Sequence, residues 1–449
     1  MNDKNTTFPY AETLAAWATT PGIGADARAE ARRCFLDTLA CMIAGAREPA
    51  MAMVVKAMRE AGADGPCTHV AGGPSLSAQA AALVNGTAAH LLDWDDYENP
   101  GSTHPSPPII SALLAVSDLR QVTLDDVTTA YVVGFEAIVR AGRALGGYDH
   151  YLRGWHATGT IGVLGAAAAV AQLIGLDEIR MARSISFAMS MAAGLKAQIG
   201  TDGNPLHAGL AARAGLEAAL LAEAGLTSNT GAAEEADGFF ALYGSDLSQP
   251  ETKPTKLGIL ADGVFRKPWP CCAYIHRVIE AGLELRARPD VDILQICDGV
   301  IRTPDPFFRV SPFLRPELPT EARFSMTHTL AWSLIEGDPT PATFQPAAIS
   351  RGDIRDLVSK FTVETYDLAS GLSDMSSEAP DTVTLTLTDG RTINATVAEV
   401  RGGNTKPMTD EDLRAKLELA GGNPRLFDQI IAGNGSEIFR FAQVLETMT

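Results

Sequence analysis

The stretch "GTIGVLGAAAAVAQLIG", residues 159–175, decides what kind of fold this chain can adopt. From Ile161 to Ile174 it is mostly Ala, Val, Leu and Gly and carries no charge. Spanning a bilayer takes about 20 apolar residues, so this shorter run reads as a helix buried on most of its faces. A helix that is apolar all round needs neighbours on every side. Ala and Gly on facing helices let their backbones approach closely.

Working outward, the flanking segments supply those neighbours. "ADARAEARRCFLDTLACMIAG" (25–45), "SAQAAALVNGTAAHLLD" (77–93), "IISALLAVSDLR" (109–120) and "LDDVTTAYVVGFEAIVRAGRAL" (124–145) carry Ala and Leu at helical spacing. Gly45, Gly62 and Gly175 read as left-handed caps that end helices. Residues 8 to about 260 are therefore expected to form a compact all-α bundle. After about residue 268 the pattern changes. "LQICDGVIRTP" (294–304), "VSKFTVETYD" (358–367), "DTVTLTLTDG" (381–390) and "RTINATVAEV" (391–400) are rich in β-branched residues and alternate with period two. Asp389-Gly390 marks a hairpin in which both turn positions need positive φ. "YIHRVIEAGLELRAR" (274–288) and "EARFSMTHTLAWSLIEG" (321–337) interleave helices, and "MTDEDLRAKLELAGG" (408–422) is helical again. The fold expected is mainly α with a smaller α+β domain. Residues 1–267 and 405–449 would form the helical domain, and 268–404 an α+β lid carrying an antiparallel sheet.

Composition narrows the function. The 449 residues are too many for one ordinary core, and 46% hydrophobic with 20% charged residues is a globular balance. A net charge of −18 argues against nucleic acid or an anionic membrane as partner, since both demand a basic footprint. It leaves room for a small anionic substrate, because a few cations can reverse the field inside one cleft. The six cysteines form no CxxC pair, and the first residues lack a basic-then-apolar leader, so a reducing, cytoplasmic location is expected.

Chemistry concentrates in four places. "HLLDWDDYENPGSTHPSPP" (90–108) sets acidic residues where a helix ends, which the helix dipole disfavours unless something compensates. Asp95 and Glu98 read as a solvated acidic loop. Asp93 and His104 read as functional, the His being held rigidly by prolines beside carboxylates. No HxH or HxxxH pair fixes a metal geometry, so no metal is expected. "GWHATGTIG" (154–162) puts His156 just before a helix start, with Thr158 or Thr160 as cap. Its glycines follow no strand, so the dinucleotide pattern is not met. "GTDGNPLHAGL" (200–210) opens another helix, where Asn204 and His207 would face the same anion; His207 alone reads as a core or capping residue. "FRKPWPCCAYIHR" (265–277) fixes Lys267 between rigid residues at the change of domain, a position suited to anchoring a carboxylate. Cys271 and Cys272 read as small buried hydrophobes.

In this order, "CFLDTLACMIAG", "ALVNGTAAHLLDWDDYENPGSTHPS", "GWHATGTIGVLGAAAA", "PLHAGLAARAG", "KPWPCCAYIHRVIEA", "EARFS" and "PMTDEDLRAKLELAGG" resemble the MmgE/PrpD family over almost the whole chain. The resemblance implies a cofactor-independent lyase that moves a proton at a carbon next to a carboxylate of a small polycarboxylate. The implied type is 2-methylcitrate-dehydratase-like, with an iminodisuccinate-type epimerase or a cis-aconitate-decarboxylase-like enzyme as alternatives, and a non-catalytic binding protein as a more distant one. It also implies a homodimer. By motif, His104, His156 and Asp93 would be catalytic, Asp93 tuning His104. Lys267, Tyr97, Asn204, His207 and His276 would bind substrate. Three positions depart from the pattern: Tyr97 stands where decarboxylase-like members have Thr, Asn204 where the family commonly has Lys, and Pro312 near the place of an active-site Tyr upstream of "RPELPTEARFS".

Overall fold

The computed structural model describes residues 9–245, 256–369, 372 and 375–448. The larger lobe is helical, and the helices that position the site include α1 (Ala25–Gly45), α2 (Ala78–His90), α3 (Ser106–Ser117), α4 (Leu124–Ala144), α5 (Gly162–Leu173), α6 (Glu178–Met191) and α7 (Gly203–Glu223). The stretch that opened the reading splits at Ile161 into a single turn, Ala157–Thr160, and α5. Every residue of α5 from Gly162 to Ala171 is buried. Glycines make this density possible. A Cβ on Gly86 of α2 would stand 2.8 Å from the Cα of Gly209 on α7, and one on Gly215 would stand 2.7 Å from the backbone N of Ala167 on α5.

The smaller lobe holds α8 (His276–Arg286), α9 (Met326–Ile335) and four strands, β1 (Ile296–Pro304), β2 (Phe361–Tyr366), β3 (Asp381–Leu387) and β4 (Thr392–Val397). Sheet order is β2-β1-β3-β4. The β1–β2 pair is parallel and the other two are antiparallel, so the sheet is mixed, where an antiparallel one was expected. The long excursion from β1 through α9 to β2 is the crossover that a parallel pair needs. On β3 Asp381, Val383, Leu385 and Leu387 are buried while the residues between are half-buried, as the period-two pattern predicts.

Two sequence readings of glycine need correction. Gly62 and Gly175 are left-handed, at φ 75° and 72°, but Gly45 is not. It is there because a Cβ would strike the backbone carbonyl of Ala88. In the β3–β4 hairpin only Gly390 has positive φ, 87°. The Gly390 amide donates to Leu387 O and the Leu387 amide to Arg391 O, which makes a three-residue turn ending in a glycine bulge.

Each lobe has its own apolar core. The helical core takes in Leu413, Leu417 and Leu426, so α10 (Asp410–Leu419) and the tail pack on the helical lobe after the chain has left the sheet. Tyr97 and Tyr151 go the other way, placing their rings in the core of the smaller lobe. Among the described residues, no single helix is long and apolar enough to cross a membrane.

Candidate active site

Helix α2 ends at His90, and the chain turns through Asp93 with the Asp93 amide donating to His90 O at 3.0 Å. Asp93 sits at φ 50° and Ser102, later in the same loop, at φ 51°. Left-handed backbone is uncommon outside glycine and is tolerated best by Asp and Asn. The turn sends the three aspartates to three different partners. Asp93 accepts from Lys267 Nζ, through its carboxylate and through its carbonyl at 2.9 Å. Asp95 meets His90 Nδ1 at 2.9 Å and His104 Nδ1 at 3.1 Å. Asp96 accepts from Ser106 Oγ, which also bonds the Tyr131 hydroxyl at 2.7 Å.

These placements correct the acidic-loop reading. Asp95 and Glu98 are buried, and Glu98 accepts from the Gly101 amide at 2.8 Å. They also shift the tuning of His104 from Asp93 to Asp95, since Asp93 stands 3.8 Å from His104 Nε2 and is already ion-paired with Lys267. The pKa of His104 is lowered, not raised as an adjacent aspartate would suggest. Burial is the largest cause and the Lys267 ammonium the next, and together they outweigh Asp95. The imidazole that is raised is His90, where the charge and hydrogen bond of Asp95 and the charge of Asp93 overcome the cost of burial.

A second histidine pair faces the first. His156 stands at the cap of the Ala157–Thr160 turn without a side-chain bond to the turn's amides, and neither Thr158 nor Thr160 is the cap. Thr158 Oγ1 accepts from the His104 amide at 3.1 Å, tying the two histidine segments together. Thr160 Oγ1 bonds His150 Nε2 at 2.8 Å. His156 stacks on His90 with centroids 5.5 Å apart and planes at 19°. Its Nδ1 meets His207 Nδ1 at 2.9 Å. His207 lies just past the first turn of α7 and serves His156, not its own helix amides. Burial, and then the neighbouring imidazoles, hold His156 well below the usual histidine range and His207 at about 4.

One cavity between the lobes is lined by Asp93, Tyr97, Ser102, His104, Tyr151, His156, Asn204, Lys267, Cys272, Tyr274 and Phe324, with Ile199, Ala273 and Val310 completing the wall. Its volume is about 30 Å³, room for one or two waters. Sequence reasoning had brought Asp93, Tyr97, His104, His156, Asn204 and Lys267 to this site. His207 backs it through His156. His276 is not on the wall: it is fully buried between Trp269 and Phe265, with Nε2 3.2 Å from Cys271 O. Asp95, His90 and the tyrosines Tyr151 and Tyr274 were missed. For His90 a signal existed, since a histidine closing a helix gains from the negative dipole end.

His90, Asp93, Asp95 and His104 each offer a ligand atom within 4.8 Å of the others, a set that a count of sequence spacing overlooks. The Lys267 ammonium already supplies the cation on Asp93, and His90 Nδ1 is taken up by Asp95. What the cavity offers chemically is acid–base groups in a nearly dry space, beside an ion-paired lysine.

That combination, at the seam of a helical lobe and a mixed α+β lobe, defines a class: enzymes that move protons on a small acid enclosed between two lobes. The chain belongs to the MmgE/PrpD family, and it is a lyase. The family model of the MmgE/PrpD N-terminal domain matches residues 12–251 and that of the MmgE/PrpD C-terminal domain residues 269–423. The cis-aconitate decarboxylase of Mus musculus is 30% identical over 355 residues, 75% of this chain and 70% of that protein. That of Homo sapiens is 30% identical over 352 residues, 75% and 71%. That of Aspergillus terreus is 26% identical over 451 residues, 94% and 91%.

Proposed function

We propose that the protein is a carboxy-lyase acting on a small unsaturated polycarboxylate, with His104 as the proton-transfer group. His156 is the second acid–base group and Lys267 the carboxylate anchor. The observation that carries the reading is the convergence of Asp93 and His104, His156 and Lys267, from three separate stretches of chain, on one cavity. In a β,γ-unsaturated acid the bond to the carboxylate breaks and its electron pair forms a new double bond. The former π pair takes a proton from the His104 imidazolium, and CO2 leaves. The imidazole is recharged from solvent. A lowered pKa makes the imidazolium a stronger acid.

Loss of CO2 is favoured over loss of water by two things. The relatives named above are decarboxylases. A cavity of this size, walled by Ile199, Val310 and Phe324, strips water from a carboxylate, and desolvation favours the neutral product.

The test is incubation with candidate unsaturated di- and tricarboxylates in deuterated water, following CO2 and the carbon that gains deuterium. CO2 release with one deuterium per product is expected. Water loss or gain without CO2 would make it a hydro-lyase. Deuterium in recovered acid with no net reaction would make it an epimerase.

A further inference from the structure

We propose that the subsite at Asn204 takes a neutral hydrogen-bond donor, a hydroxyl or a primary amide, so that the substrate carries two carboxylates at most. This rests on the carboxylate-lyase reading above and concerns which carboxylates fit. The charge of the wall is the first argument. Of the residues lining the cavity, Lys267 and Asp93 form an ion pair with each other. His104 and His156 are held toward the neutral form by burial. Two more cations stand outside the wall. Arg323 is paired with Glu48 at 3.3 Å, and Lys196 Nζ lies over the Tyr151 ring at 4.4 Å. Beyond the Asp93–Lys267 pair the wall offers a cation only while His104 carries the proton it transfers, so a trianion would bring three charges against one, and a buried carboxylate without a compensating cation is strongly disfavoured.

Asn204 is the second argument, and it is independent of the first. It is the second residue of α7, 5% exposed, and its amide N donates to Thr201 O at 3.2 Å. Its side-chain Oδ1 is buried with no hydrogen-bond partner among the described residues, and the residue lines the cavity. Buried acceptors in folded proteins are nearly always paired, so a ligand donor is the natural partner for this one. A carboxylate has no proton to donate. Turning the amide by half a rotation would exchange the acceptor for donors, yet the subsite would remain neutral. Tyr97, Tyr151 and Tyr274 line the same cavity with rings and hydroxyls.

Three saturated, unreactive acids test this by calorimetric titration of the native protein near neutral pH: tricarballylate with three carboxylates, succinate with two, and succinamate with one carboxylate and one amide. Succinamate should bind at least as tightly as succinate, and tricarballylate about tenfold more weakly, the usual scale for one buried polar mismatch. Asn204→Lys should shift the ratio toward tricarballylate by about tenfold or more. If that variant does not fold, the native series decides alone. Tricarballylate binding tighter than succinamate, or succinamate binding tenfold weaker than succinate, would overturn the proposal and leave the lyase reading standing. Failure of all three to bind would overturn both.

Discussion

His156 and His207 share a single Nδ1 to Nδ1 hydrogen bond, so one ring donates, the other accepts, and a second proton would break the bond. Burial holds His207 at about 4, whereas an unfolded histidine titrates near 6.5. With a folded pKa below the unfolded one, the unfolded chain takes up protons first. Stability is therefore full above about pH 6.5 and falls as the pH drops toward about 4. Urea midpoints at pH 7, 5.5 and 4.5 should decline in that order, and His207→Gln should shrink the decline; an unchanged slope in the variant would count against the pair. Catalysis divides differently. His104→Ala should lower kcat by about two orders of magnitude, the usual size of an acid–base contribution. His207→Ala should cost less, because it touches the cavity through His156. If His207→Ala is dead and His104→Ala active, with both folded, the roles are exchanged. Asp93, His104, His156 and Lys267 were legible because each sits in a short motif with rigid neighbours. What each aspartate touches was not legible, since it depends on one left-handed residue, Asp93 at φ 50°. Reading that residue as ordinary loop leaves Asp95 in solvent and Asp93 on His104.

Helices were legible from Ala and Leu spacing, and strands from β-branched alternation, because both patterns report which face is buried. The contacts between them were less so. The α2–α7 seam runs through Gly86 and Gly209, where the backbones pass so closely that a Cβ on Gly209 would strike Leu83 O and the Thr87 hydroxyl. Neither glycine has positive φ, so close approach, not conformation, requires them. Because α2 carries His90 into the site and α7 carries Asn204 and His207, separating them moves both walls of the cavity. Gly209→Ala should destabilise the protein by about 1–3 kcal/mol, the range for overpacking, and should also raise KM. Thermal unfolding together with steady-state kinetics checks this. An alanine variant with native stability and KM would show that the seam can widen without cost. Gly45 was misread for the same reason: sequence marks it as a helix end, while its Cβ-free face against Ala88 belongs to a partner helix 43 residues away, a separation no local pattern reports.

At the scale of the molecule, the site is held from behind by the chain's last segment. Helix α10 follows the sheet in sequence yet packs on the helical core, and it carries Lys416 to the seam. Lys416 Nζ donates to Asp37 Oδ1 at 2.6 Å, to Trp94 O at 2.7 Å and to Lys267 O at 3.1 Å. One ammonium thus joins a helix of the large lobe, the backbone next to Asp93 and the backbone of Lys267. Its side chain is 2% exposed and that of Asp37 fully buried, and burial pushes the Asp37 carboxyl up despite Lys416. Removing one partner of a buried pair leaves the other uncompensated, at about 3–5 kcal/mol. Lys416→Met should therefore destabilise strongly and lower activity, which alone would say nothing about the site. Lys416→Met combined with Asp37→Asn removes both charges and should return most of the stability. It does not return the donor shared by the Trp94 and Lys267 carbonyls. In the double variant we expect kcat to stay about tenfold below native, on the order of what slight misplacement of a catalytic group costs. Urea unfolding and saturating kinetics on the native protein and both variants separate the two effects. Should the double variant regain native kcat as well as stability, Lys416 is a structural counter-ion and nothing more; a persistent loss of kcat in a stable protein shows that the tail positions the site.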